Sequence, residues 1–152
     1  MKDKSPEKQL AGFMAKYTPE IAALAQAALA KLRARLPGAV ELVYDNYNAL
    51  AIGFSPTERA SDAIFSIALY PRWVSMFFLH GASLPDPQKL LKGSGKVVRY
   101  IVLEDAADLY KPAVKTLIAH ALKSSAKPLD STSPSRIVIK SISIKQRLRR
   151  PA

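Results

Sequence analysis

The side chains best suited to acid–base or metal chemistry in this chain of 152 residues are few: two histidines, twelve Asp/Glu and no cysteine. Without cysteine there are no thiol nucleophiles, disulfide frameworks or zinc ribbons. His80 and His120 stand alone, and a lone imidazole acts as a general base only with a carboxylate or substrate group in hydrogen-bond reach. Iron requires clustered carboxylates or imidazoles. Glu41 and Asp45 lie four residues apart on an extended segment, about 13 Å from each other, too far to share one ion. Glu104, Asp105 and Asp108 gather at a helix start, where acids complement the helix dipole. A phosphate loop is suggested by Gly93-Ser94-Gly95-Lys96. A Walker motif would place glycine at 90 and Ser or Thr at 97, and the chain has Leu90 and Val97. What survives is an anion-binding nest among Lys89, Lys92, Lys96 and Arg99. These residues show no clear catalytic constellation and imply no metal or cofactor, so the sequence points to a binding protein more than to an enzyme, while a site assembled from distant residues would leave no local motif.

Two sets of residues suit binding. The first is a rim of turns carrying Tyr44, Asn46, Asn48, Arg72, Lys96 and Arg99, whose aromatic, carboxamide and cationic groups fit a small anionic or polar ligand. Arg72 adjoins Trp73, which invites a cation–π contact. The second is a cationic C-terminal segment, in which Arg136, Lys140, Lys145, Arg147, Arg149 and Arg150 could neutralise phosphates and bind nucleic acid weakly.

The elements that must position these residues follow from periodicity. Ser5-Pro6 and Thr18-Pro19 each supply a capping hydroxyl followed by proline, two helix starts. Leu10, Phe13, Met14 and Tyr17 form one apolar stripe; Ile21, Leu24, Ala28, Leu32 and Leu36 form another, ended by Pro37-Gly38. The pattern then alternates. Val40, Leu42 and Tyr44 make the buried side of a strand, and Leu50, Ile52 and Phe54 that of a second, joined at Asp45-Asn46-Tyr47-Asn48 as a hairpin. A third strand spans 63–70. A fourth, apolar on both faces and so central, spans 73–80. A short helix is expected at 86–91, a fifth strand at 96–103, and a last helix from Asp105 or Asp108 through Leu122. The fold class is α+β: a twisted, mainly antiparallel sheet of about five strands flanked by N-terminal and C-terminal helices.

Composition sets the remaining bounds. Residues 1–122 carry 15 Lys/Arg and 11 Asp/Glu, whereas residues 123–152 carry 8 and 1, so most of the net charge of +11 sits in the last fifth of the chain. The division expected is one domain over 1–122 and a basic Ser/Pro/Ile-containing tail over 123–152, lying outside the core. The Ile-rich part of that tail has strand propensity. It could pair with its own sheet edge or with a neighbour's, a route to a homodimer. No apolar leader and no long apolar run appears, so the expectation is a cytoplasmic protein with no membrane partner.

The block Val43-Tyr44-Asp45-Asn46-Tyr47-Asn48-Ala49-Leu50, with Ile52-Gly53-Phe54, Ser61-Asp62-Ala63-Ile64-Phe65-Ser66, Tyr70-Pro71-Arg72-Trp73-Val74, Leu84-Pro85-Asp86-Pro87 and Gly93-Ser94-Gly95-Lys96, resembles the bacterial YdhG-like family of domains of unknown function. The resemblance covers roughly residues 8–122. It implies a twisted antiparallel sheet flanked by helices. Some relatives are described as frataxin-like iron chaperones, which implies iron as a third functional reading. Those relatives carry a Met-Pro pair and an aromatic residue in the first hairpin, where this chain has Asp45-Asn46-Tyr47-Asn48.

Overall fold

The computed structural model describes residues 5–151. Helices α1 (Pro6–Met14) and α2 (Pro19–Arg35) begin as their caps require: the Ser5 and Thr18 hydroxyls accept the Lys8 and Ile21 N–H groups, each at 3.3 Å. Six strands follow: β1 (Val40–Asp45), β2 (Leu50–Ser55), β3 (Phe65–Leu69), β4 (Val74–Phe78), β5 (Arg99–Leu103) and, after α3 (Pro112–Ser124), β6 (Arg136–Ile142). They form one sheet in the order β5-β4-β3-β2-β1-β6, antiparallel throughout except that β6 runs parallel to β1. The fold is therefore α+β, with a mixed and mostly antiparallel sheet that does not close.

The sixth strand corrects the view of residues 123–152 as a tail outside the core. Ile137, Val138 and Ile139 sit opposite Glu41, Leu42 and Val43. Ile137 and Ile139 pack against the main core. β-Branched side chains fit this pleated, half-buried position, and the pairing covers an edge of β1 that would otherwise be bare. The register slips between Val43 and Tyr44, leaving Lys140 as the extra residue of a bulge. The linker is also docked: Gly38, at φ +83°, lies so close to the Asp130 carbonyl that no Cβ would fit, and its N–H reaches Ser135 Oγ at 3.2 Å.

One face of the sheet carries the core. Val43, Leu50, Ile52, Phe54, Phe65, Ile67, Leu69, Met76 and Phe78 meet Leu10, Phe13, Met14, Ile21, Leu32, Val114 and Leu117 from the three helices. Strand alternation sends small residues to the opposite face: Ala51 and Gly53 from β2, Ser66 and Ala68 from β3, Ser75 from β4. Part of that face is covered where the chain crosses it after β2, since a Cβ on Gly53 would lie 3.8 Å from the Ala63 and Leu42 Cβ atoms. The rest is open.

Several local expectations give way to tertiary context. On β1 Glu41, Val43 and Asp45 face the helices, where cations from the helices and the C-terminal segment meet both acids, while Val40 and Leu42 are buried on the opposite face. β4 is next to the edge strand rather than central, and Trp73 lies in the preceding turn, 43% exposed. Residues 86–91 form no helix. The Asp86 carboxylate instead closes a turn on the Leu90 and Leu91 N–H groups, and Lys89 takes a left-handed φ of 54°. Asp105 and Asp108 build a capping box for a short 3-10 turn, Ala106–Tyr110, and α3 starts only at Pro112.

Candidate ligand-binding site

The open face becomes concave at the end of the sheet where the β1–β2 and β3–β4 turns lie together, a juxtaposition set by the Leu50↔Leu69 register. The hollow has a volume of about 440 Å³ and is lined by Asn46, Tyr47, Asn48 and Ala49 of the first turn, Ala51, Ser66 and Ala68 on the floor, and Tyr70, Phe77 and Ser143 around it. Small floor residues make the hollow, and aromatic rings wall it. Tyr70 stacks on Trp73 with centroids 4.9 Å apart and planes 22° apart, and Phe77 leans on Tyr100 at 5.5 Å. Tyr47 is 48% exposed, with the Arg147 guanidinium 5.6 Å from its ring. Asn46 Oδ1 accepts from Ser141 Oγ at 2.8 Å, which orients the carboxamide.

Tyr44 projects from the same face, in register with Ala51. Its hydroxyl is buried and finds no partner among the described residues. Burial pushes the Tyr44 phenol above its ordinary pKa, and does the same for Tyr70. No charged side chain lines the hollow. Such a surface can stack a planar ring and read its polar edge through carboxamides and hydroxyls. It holds neither a nucleophile with a base nor a cation for a phosphate.

The six rim candidates from the sequence do not converge. Asn46 and Asn48 line the hollow, Tyr44 shares its face, and Arg72 sits exposed in the β3–β4 turn at the same end. Lys96 and Arg99 lie at the opposite end, because Arg99 pairs with Phe78 at the far end of β4. There Arg99 donates to the Gly95 and Val98 carbonyls and holds the loop rather than a ligand. Among the described residues Arg72 makes no cation–π contact with Trp73, whose ring stacks on Tyr70 instead.

The basic C-terminal segment is likewise bound into the structure. Arg136 pairs with Glu58, and Lys140 Nζ donates to the Glu58 carbonyl at 3.0 Å. Arg149 is buried, and its Nη2 reaches Asp45 Oδ1 at 3.0 Å and the Asn46 carbonyl at 2.5 Å. Arg150 donates to the Lys16 and Ala15 carbonyls just past α1, a cation at a helix C-terminus. Backbone bonds from Ser143 N to Asp45 O and from Arg147 N to Tyr47 O fasten the intervening chain. Only Lys145 and Arg147 of the six remain exposed without a carboxylate or carbonyl held by the side chain, among the described residues. The sequence reading weighed Asp45 as a metal ligand and a turn residue and missed it as the anchor of this clasp. Its signal was an acid in line with Val43 on the inward side of a strand.

A second, more enclosed cavity of about 270 Å³ lies at the other end of the sheet, where Ser61, Asp62, His80, Ser83, Ser124 and Lys127 surround Ile64 and Phe78. Asp62 there accepts from Thr57 Oγ1 at 2.7 Å and from Lys127 Nζ at 3.2 Å, and no hydrogen bond joins it to His80 among the described residues. Among the described residues no group of three or more His, Asp or Glu comes together as metal ligands, and no helix is long and apolar enough to cross a membrane. Comparison of the chain with protein-family models, with curated proteins and with solved structures finds no match in any of the three.

Proposed function

We propose that this protein is a binding domain for a small, planar, polar ligand, seated in the hollow on the open face of its sheet. The lining supports this reading. Tyr47, Tyr70 and Phe77 offer ring surfaces, Asn46 and Asn48 offer paired donor and acceptor edges, and no charge is present. Neutral heteroaromatic compounds meet those requirements better than simple anions, because no cation lines the hollow: of the rim cations, Lys96 and Arg99 lie at the other end and Arg72 stands in the turn outside the lining. The absence of any placed nucleophile or general base at the hollow favours binding over catalysis. Iron has no cluster of carboxylates or imidazoles to hold it among the described residues, so the iron-chaperone reading has no geometric support.

Trp73, the single tryptophan, stacks on a ring that lines the hollow and reports on it directly. Titration with neutral purine and pyrimidine nucleosides, and with benzoate and a polyol as contrasts, is read by Trp73 emission and by amide shifts of residues 46–49. Nucleosides are expected to move those amides saturably, and the contrasts to leave them unmoved. Shifts that are absent, or that appear only near Lys96 and Arg99, would overturn the proposal.

A further inference from the structure

The aromatic surface extends beyond one ring. From Tyr47 beside β2, through Tyr70 and Trp73 at the end of β3, to Phe77 on β4 and Tyr100 on β5, it runs across four strands, or about 14 Å at the usual strand spacing. Its floor is uncharged, yet the chain carries a net charge of +11. At this end of the sheet Arg72, Lys145 and Arg147 are exposed and form no ion pair among the described residues. Asp45 is fully buried and taken by Lys16 and Arg149. Glu104 and Asp105 follow Leu103, which pairs with Val74, so they lie at Arg72's end of the sheet on the β5 edge, although neither forms an ion pair with it among the described residues; Lys145 and Arg147 lie on the β6 side, away from these acids. The result is a neutral, ring-bearing floor with cations at its margin.

We infer that this face binds single-stranded nucleic acid, with bases stacked on the Tyr47, Tyr70–Trp73 and Phe77–Tyr100 stations and phosphates at Arg72, Lys145 and Arg147. The inference rests on the planar-ligand reading of the same hollow and names the polymer that supplies the rings. Aromatic platforms with basic margins bind single strands because every base has a stacking face. A duplex keeps its bases stacked inside and can reach only the cations. This mode differs from a free basic tail, since most tail cations are consumed by the fold and the affinity must come in part from rings.

The test uses fluorescence anisotropy of the full chain with a fluorescein-labelled ten-nucleotide single-stranded RNA of mixed sequence, with the same strand in duplex, and with adenosine monophosphate as competitor. The single strand is expected to bind at least about ten-fold more tightly than the duplex. Tyr47→Ala and Trp73→Ala, both at exposed positions, are each expected to weaken it about ten-fold. With about three phosphate contacts, log affinity should fall with log salt at a slope of about −2. Equal binding of duplex and single strand, or affinity untouched by both ring variants, would show simple charge attraction and overturn the inference. If mononucleotide or nucleosides shift residues 46–49 but the strand gains nothing over them, the polymer inference fails and the small-ligand reading stands. If neither perturbs those residues, both fall.

Discussion

Arg149 and Asp45, 104 positions apart in sequence, meet in a buried ion pair at 3.0 Å, with the arginine side chain 5% exposed and the carboxylate fully covered. Lys16 Nζ approaches the other carboxylate oxygen at 2.8 Å and Gln146 Oε1 at 2.9 Å, and Gln146 Nε2 donates back to the Asp45 carbonyl. One carboxylate thus joins the end of α1, the end of β1 and the C-terminal segment. The same contacts fix the β1–β2 turn, because Arg149 also binds the Asn46 and Tyr47 carbonyls. The hollow and the clasp share a turn, one on each side of the sheet.

Asp45→Asn should therefore destabilise the protein by about 3 kcal/mol, since removing one partner leaves Arg149 buried without its counter-charge. Urea unfolding of the wild type, the single variants Asp45→Asn and Arg149→Met, and the double variant measures this as a cycle. The double variant is expected to lose less than the sum of the two. Strict additivity would mean that the pair carries no coupling.

The same carboxylate sets an acid limit. Burial by itself raises the Asp45 pKa. Hydrogen bonds from Lys16, Gln146 and Arg149 and the Lys16 charge outweigh burial and hold it below the ordinary value of 3.8. The unfolded chain then binds the proton first as pH falls. The stabilisation is fully present above the ordinary carboxylate range and is lost as pH drops through the lowered native value. Urea midpoints measured from pH 6 down to pH 2.5 should decline below about pH 4 in the wild type. They should decline less in Asp45→Asn. A residual slope is expected from Asp62, Asp108 and Asp130, whose pKa values are also lowered.

Removal of residues 136–152 tests whether this segment belongs to the fold. It would strip β6 from β1, take Ile137 and Ile139 off the core, and delete both Arg149 and the Arg150 contacts beyond α1. The shortened chain is expected to aggregate or lose its cooperative unfolding transition, as a newly bared strand edge does. A monomeric product with an unchanged unfolding midpoint would contradict the sheet order.

What the sequence conveyed was local chemistry. The caps at Ser5 and Thr18, the hairpin around Asp45-Asn46-Tyr47-Asn48 and the strands through Phe54, Ile67 and Met76 depend on neighbours a few residues away, and all appear as expected. The parallel pairing of β6 with β1 depends on residues brought together from far apart, and no local period announces it. Alternation along β1 likewise cannot say which face is inward. The buried face holds Glu41 and Asp45 only because Arg33, Lys16 and Arg149 arrive to neutralise them. Half of the candidate rim was visible as turn residues. Lys96 and Arg99 were misplaced because their end of the sheet is fixed by the β4–β5 register, not by their proximity to a glycine loop.

Two buried phenols make opposite predictions from the same chemistry. Tyr17 Oη donates to the Leu69 carbonyl at 3.0 Å and accepts the Leu50 N–H at 3.1 Å, stitching the α1–α2 turn to the β2–β3 pair. Tyr17→Phe leaves a buried N–H and a carbonyl with one bond fewer, and should cost about 1–3 kcal/mol. The Tyr44 hydroxyl has no partner to lose among the described residues, so Tyr44→Phe removes a desolvated polar atom and should leave stability equal or raise it by about 1 kcal/mol. Urea unfolding at pH 7 separates the two. A Tyr44→Phe loss as large as that of Tyr17→Phe would mean that the Tyr44 hydroxyl makes a bond in solution, and with it that the open face beside Ala51 is wetter than its geometry implies.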